Sequence, residues 1–301
     1  MELSKKIIGA LVLLGLTTSC TTKEVSSNTT LNSTTDNEVV LQHEDFTEMG
    51  IFTDGIEGPA IDSNGDLFIV NFSKQGVIGK VTKDGQAEVY LTLPQGSIGN
   101  SIQFDQQNNM YVADYIGHNI YKISPSKNID TLIHHEKFTQ PNDIAITTKG
   151  LIYASDPNWS NNTGQLWLIK NGVAILQEGS MGTTNGIVLS NDEKKLYVNE
   201  SVQRRIWVYD VAEDGQISNK TLFHQFEEFG MDGMKFDGND NLHIARYGAG
   251  MIAVLSPQGN QIKEYKLRGK NPTNLVFSKD GTTIFVTMQI RRGVEKIMIT
   301  Q

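Results

Sequence analysis

The chain has 301 residues, of which 38% are hydrophobic and 20% are charged, and its formal net charge at pH 7 is −8. This length suits two average domains or one large all-β or α/β-barrel domain, and it can bury a core without a disulfide or a structural metal. The acidic balance, with no basic stripe that could meet phosphates, argues against a nucleic-acid partner.

The N-terminus has the pattern of an export signal. Lys5 and Lys6 form a positive region, and the apolar segment Ile7–Leu16 that follows is too short to span a bilayer. The small residues TTS then lead to Cys20, the only cysteine in the chain. This arrangement resembles a bacterial lipoprotein signal over residues 1–20, with lipidation at Cys20, although a plain secretory signal is the alternative. We expect a protein exported to the bacterial cell envelope that meets a membrane only through this lipid anchor.

The next segment, residues 21–40, reads TTKEVSSNTTLNSTTDNEVV and is rich in Ser, Thr and Asn. It has almost nothing to bury, and such composition is typical of a disordered tether. The sequence therefore places a single folded domain at residues 41–301.

Beyond the tether, a β-hairpin recurs six times. The second strands of the hairpins are rich in β-branched and aromatic residues and read DLFIVN, NMYVAD, LIYASD, KLYVNE, NLHIAR and TIFVTM. Repeats of about 40 to 50 residues with several strands each are typical of a β-propeller. We predict an all-β fold, a six-bladed β-propeller with four-stranded antiparallel blades. The last copy lacks an outer strand, which VVLQHEDFT near residue 40 is predicted to supply, closing the ring.

One position opens the first strand of every copy, and it is polar each time. Because the first strands of a propeller line its central channel, we expect these side chains to converge at one end of the channel. The six residues are Glu57, Asn100, Asn142, Asn185, Asp232 and Thr273. Carboxylate and amide oxygens suit one hard divalent cation, Ca²⁺ before Mg²⁺. Mn²⁺ and Zn²⁺ are less favoured, the latter because no paired-histidine spacing or available cysteine occurs.

A second set of residues ends the second strands and should return to the same end of the channel. These residues are Asn71, Asp114, Asp156, Glu200, Arg246 and Met288. We predict that Asp114, Asp156 and Glu200 form a substrate-binding wall around the metal; the alternative is that they cap strand ends at a solvated rim. Trp159, in the loop after Asp156, and Tyr247 are further candidates for contact with substrate.

The stretch from Gly55 to Ile299 resembles the gluconolactonase and regucalcin family of six-bladed propellers. The segments that carry the resemblance are IEGPAID, QPNDIAI, YASDPNW, TNGIVLSNDEKKLYVNE, RRIWVYDVAEDGQISN and MDGMKFDGNDNLHIARYGAG. Paraoxonases and diisopropylfluorophosphatase are similar to it at a greater distance.

The resemblance implies roles for individual residues. It implies one channel cation, commonly calcium, bound by Glu57, Asn142, Asn185 and Asp232. It also implies that Asp232 is the general base or nucleophile, and that substrate recognition involves the blade of Asn100. The implied reaction is hydrolysis of a lactone ring.

The donor set indicates the same chemistry independently. A divalent cation polarises a carbonyl or phosphoryl oxygen, and a neighbouring carboxylate such as Asp232 can accept a proton from water. The leading hypothesis is a calcium-dependent, gluconolactonase-like hydrolase acting on a small lactone or ester, with a monomer favoured. The alternatives are a phosphotriester hydrolase using the same site, and a non-catalytic, envelope-anchored propeller that binds a ligand or partner.

Overall fold

The computed structural model describes residues 43–299, and within this range every regular element is a β-strand. Numbered in chain order, the strands begin with β1 (His43–Asp45), followed in blade 1 by β2 (Phe52–Ile61), β3 (Leu67–Phe72), β4 (Val77–Val81) and β5 (Ala87–Thr92). Blade 2 has β6 (Gly99–Phe104), β7 (Met110–Asp114), β8 (Asn119–Ile123) and β9 (Ile129–His134). Blade 3 has β10 (Ile144–Ile146), β11 (Ile152–Asn158), β12 (Thr163–Lys170) and β13 (Val173–Met181).

The second half of the ring repeats this order. Blade 4 has β14 (Thr184–Leu189), β15 (Lys195–Glu200), β16 (Arg205–Val211) and β17 (Ile217–Gln225). Blade 5 has β18 (Met234–Phe236), β19 (Leu242–Arg246), β20 (Met251–Leu255) and β21 (Gln261–Lys266). Blade 6 has β22 (Pro272–Phe277), β23 (Thr283–Met288) and β24 (Gly293–Met298). Each blade is an antiparallel sheet of four strands, which confirms the six-bladed β-propeller.

The N-terminal strand closes the last blade, as predicted. Strand β1 pairs antiparallel with β24, with Asp45 opposite Glu295. The Asp45 carboxylate also accepts two hydrogen bonds from the Arg291 guanidinium, at 2.7 and 2.9 Å, and these bonds lower the pKa of Asp45. Arg291 donates in turn to the buried Glu295. A backbone ladder and an ionic clasp therefore join the two ends of the domain.

The core lies between neighbouring blades. Strands β7 and β19 are buried along their whole length because the flat faces of adjacent blades cover both sides of each strand. Between blades 1 and 2, for example, Val70 and Ile78 pack with Ile102 and Val112. Full burial of each such aliphatic side chain stabilises the fold by about 1.5–3 kcal/mol, so face-to-face packing holds the inner strands in place.

The N-terminal predictions fall on residues that the structure does not describe. The signal over residues 1–20, the lipid on Cys20 and the tether at residues 21–40 all lie outside residues 43–299. Within the described range, no helix is long and apolar enough to cross a membrane.

Candidate metal centre and active site

The six opening residues come together at one end of the channel. They line a single cavity of about 590 Å³, although each belongs to a different blade. The opening residues in this lining are Glu57, Asn100, Asn142, Asn185, Asp232 and Thr273. The fold therefore brings the six opening residues together at one cavity, where the repeat pattern predicted them.

The pairing between the first and second strands of a blade is irregular near the opening residues. In blade 2, the pairing of β6 with β7 shifts register between Gly99 and Ser101, which flank Asn100. In blade 4, the shift falls between Thr184 and Ile187, around Asn185. Irregularities of this kind bend a strand and redirect a side chain, and they are frequent next to active sites. In blades 3 and 5 the opening residue precedes its strand altogether.

Glycines beside the opening residues make room for the neighbouring blade. Gly58 has a φ of +54°, and a Cβ placed on it would lie 2.6 Å from the Cα of Ser101 in blade 2. Its N–H donates to the Glu57 carboxylate at 2.7 Å. A Cβ on Gly186 would lie 2.3 Å from the carbonyl oxygen of Asp232. A larger residue at either position would push apart two blades that both contribute to the site.

Two buried carboxylates, Glu57 and Asp143, lie close to the half-buried Asp232, and Asp143 raises the pKa of both other acids. Burial raises the pKa of Glu57 to about 8; the hydrogen bond from Gly58 opposes this rise, and the charge of Asp143 adds to it. Burial and then the charge of Glu57 raise the pKa of Asp232 well above its usual range. Burial likewise raises the pKa of Asp143, against the attraction of Lys235. Without a cation these carboxyl groups therefore favour their protonated forms, and a divalent cation beside them would favour the ionised forms.

The amide side chains in the cavity give the strongest indication that these residues could bind a cation. The side chain of Asn185 is buried, and its Oδ1 has no hydrogen-bond partner, whereas its Nδ2 donates to the Met231 carbonyl at 3.5 Å. A buried amide oxygen without a partner is costly unless something binds it. In the same cavity, Asn142 accepts a hydrogen bond from Asn100 at 3.0 Å. Two carboxyl groups and two amide groups from four blades thus line one cavity, and their oxygens are of the type that Ca²⁺ prefers.

Sequence reasoning missed the layer directly beneath this set. Asp143 and Asn274 follow the opening residues of blades 3 and 6, and both are buried. Asp143 accepts hydrogen bonds from the backbone N–H of Ile144 at 3.0 Å and of Ile187, in the next blade, at 3.4 Å. Aligning the position after each opening residue would have revealed them, since blades 1, 4 and 5 have glycine there.

Three predicted substrate-binding residues do not line the cavity, and this corrects the pocket-wall prediction. Asp114, Asp156 and Glu200 are buried and accept hydrogen bonds from their own blades. Asp114 binds the N–H of Ile98 at 3.0 Å, and Glu200 binds that of Gly182 at 2.9 Å. Their carboxylates are turned into the loops and not into the cavity, because the loops present backbone N–H groups that need an acceptor.

These contacts follow a rule around the ring. Asp156 accepts the N–H of Gln140 at 2.6 Å, two residues before the opening Asn142. Where the partner is a carbonyl, the second-strand residue is a donor: Asn71 donates to Gly55 at 2.6 Å, and Arg246 to Gly230 at 3.4 Å. In five blades, therefore, the end of the second strand holds the segment two or three residues before the opening residue. Only blade 6, with Met288, departs from the rule.

The other predicted substrate contacts do line the cavity. Asn100, Trp159 and Tyr247 are all part of its wall, and the Tyr247 hydroxyl donates to Gln289. Lining residues that the sequence pattern did not indicate include Tyr115 and Ile116, in the turn after Asp114.

Comparison with known proteins identifies the family. The model of the SMP-30/gluconolactonase/LRE-like region matches residues 34–289. The chain belongs to this family. Among curated relatives, the gluconolactonase of Zymomonas mobilis is 26% identical over 77% of this chain and 75% of its own. The diisopropyl-fluorophosphatase of Loligo vulgaris is 26% identical over 83% of this chain and 91% of its own.

A solved structure shows the same fold. The calcium-binding protein regucalcin of Agrobacterium tumefaciens superposes with a TM-score of 0.75 over 86% of this chain and 93% of its own, at 17% identity. The curated relatives are hydrolases by name, and they support a hydrolase here.

Proposed function

We propose that this protein is a calcium-dependent hydrolase that opens the ring of a small lactone. The observation that carries the proposal is the meeting of Glu57, Asn142, Asn185 and Asp232, from four blades, in one cavity where the Asn185 Oδ1 is buried without a partner. Relatives named gluconolactonase and lactonase support this substrate class. The N-terminal pattern adds the proposal that the enzyme acts in the cell envelope.

The four side chains would hold the cation, which supplies Lewis acidity toward the substrate carbonyl oxygen. Asp232 lies in the cavity, where its carboxylate can accept a proton from the water that attacks the carbonyl carbon. The ring C–O bond then breaks, and the same proton passes to the departing ring oxygen, which leaves a hydroxy acid. Because burial favours protonated Asp232, nearby positive charge is needed to keep this base ionised at neutral pH.

Phosphotriester hydrolysis at the same site is the second candidate reaction. The diisopropyl-fluorophosphatase relative is matched over 91% of its length, which favours phosphotriester hydrolysis as the second candidate. It would use the same donor set and the same polarisation, applied to a phosphoryl oxygen.

Removal of metal is expected to abolish hydrolysis. We expect protein treated with a chelator to lose at least about a hundredfold in lactone turnover, because one Lewis acid supplies several kcal/mol of transition-state stabilisation. Added Ca²⁺ should restore it. The measurement is a pH-stat assay of lactones and phosphotriesters with each form of the protein. Undiminished turnover by protein shown to be free of metal would contradict the proposal, and calcium binding without any turnover would favour the non-catalytic alternative.

A further inference from the structure

The charged residues that line the cavity are all acidic. Among the residues that line it within the described part of the chain, none is Lys, Arg or His, whereas Asp54, Glu57 and Asp232 are acidic. A single divalent cation at the centre would be matched by Glu57 and Asp232, which leaves the exposed Asp54 as a further acid in the lining. A substrate with its own carboxylate or phosphate would therefore enter against like charge.

The walls are asymmetric in polarity. Apart from the opening residues Asn100 and Asn142, the lining residues from blades 2 and 3 are Ile98, Tyr115, Ile116 and Trp159. Ile116 is 49% exposed and lines the cavity, so its side chain offers apolar surface to a bound molecule. Blades 6 and 1 contribute Ile56 but also the polar side chains of Gln75 and Gln289.

This wall is held at a defined place. Ile98 lies two residues before Asn100, and its N–H donates to Asp114, the same carboxylate that binds the N–H of Gly117 at 2.9 Å. One buried acid thus fixes both the segment carrying Ile98 and the turn carrying Tyr115 and Ile116. Asp114 therefore fixes both the apolar wall and the segment that leads to the opening residue Asn100.

Resting on the proposed lactonase activity, we propose that the substrate is a neutral lactone with an apolar substituent, and that this substituent lies on the wall formed by Ile98, Tyr115, Ile116 and Trp159. A sugar-like lactone would direct hydroxyl groups at a surface that offers few partners, and burying unpaired polar groups is unfavourable. An alkyl or aryl substituent has no hydrogen bonds to lose on that wall, and its burial against apolar side chains is favourable.

The test compares kcat/KM for δ-valerolactone, δ-nonalactone and D-glucono-δ-lactone. We expect δ-nonalactone to be preferred over the other two by about tenfold or more, the discrimination that apolar contacts supply. A δ-lactone with a carboxyalkyl chain should be hydrolysed at least about tenfold less efficiently than its methyl ester. The nearest alternative is that Arg292 attracts the carboxylate, because it lines a neighbouring groove that shares Asp54 and Gln289 with the cavity. Preference for the carboxylate over the methyl ester would therefore overturn the proposal.

A pair of variants locates the effect. Ile116→Ser should lower the preference for δ-nonalactone over δ-valerolactone by about tenfold. The matched control is Val202→Ser, because Val202 occupies the equivalent position in blade 4, is 46% exposed and does not line the cavity. It should leave the preference unchanged. Equal preference in all three proteins, or better turnover of D-glucono-δ-lactone, would overturn the inference while leaving a lactonase. Failure of the wild type on every lactone would overturn the proposed function as well.

Discussion

Replacement of Asp232 with Asn is expected to lower kcat for lactone hydrolysis by about 10²- to 10⁴-fold, the range that a positioned general base contributes. The amide has nearly the same shape but cannot accept the proton of the attacking water. Folding should not suffer, because burial and the charge of Glu57 already oppose ionisation of Asp232. Steady-state kinetics and thermal unfolding of the metal-free variant would measure both effects.

The control for this variant is another acid in the same cavity. Asp54 also lines it but is exposed and is not among the proposed ligands. Asp54→Asn should change kcat for a neutral lactone by no more than a few-fold, since exposed charges interact weakly. If Asp232→Asn retained wild-type turnover, Asp232 would not be the base.

Replacement of Asp156 with Ala is expected to destabilise the fold by about 3–5 kcal/mol, because each buried donor left without its acceptor costs about 1–3 kcal/mol. The carboxylate accepts hydrogen bonds from the backbone N–H groups of Thr139 and Gln140 and from the Trp167 indole at 3.1 Å. Since Gln140 precedes the proposed ligand Asn142 by two residues, calcium affinity should fall as well. Urea unfolding and calcium titration would measure the two effects.

An acid on the outer strand of blade 2 provides the control for this variant. Asp130 is exposed, and Asp130→Ala should stay within about 0.5 kcal/mol of the wild type. If Asp156→Ala were as stable as Asp130→Ala, the interpretation of Asp156 as a support for the site would be wrong.

The fold was readable from the sequence because a propeller repeats. Six hairpins with the same alternation place equivalent residues at equivalent positions, so the first-strand residues had to meet at the axis. The closing strand followed from a missing partner for β24. These inferences need only periodicity and the geometry of a ring.

The direction of single side chains was harder to predict. Asp114, Asp156 and Glu200 were correctly placed at the mouth end of their strands, but the pattern did not show that their loops leave backbone N–H groups in need of an acceptor. Asp143 was missed because it follows a more conspicuous neighbour, Asn142, and its effect on Glu57 depends on three-dimensional distance.

The central claim is that one divalent cation is bound between four blades, and calorimetric titration of Ca²⁺ into metal-free protein tests it most directly. We predict one cation per chain and proton release at pH 7, because burial holds the pKa of Glu57 at about 8 before the cation binds. Glu57→Gln should weaken binding by at least the roughly 10- to 100-fold typical of losing even an outer-shell partner. Absence of calcium binding, or equal affinity in Glu57→Gln, would contradict the account.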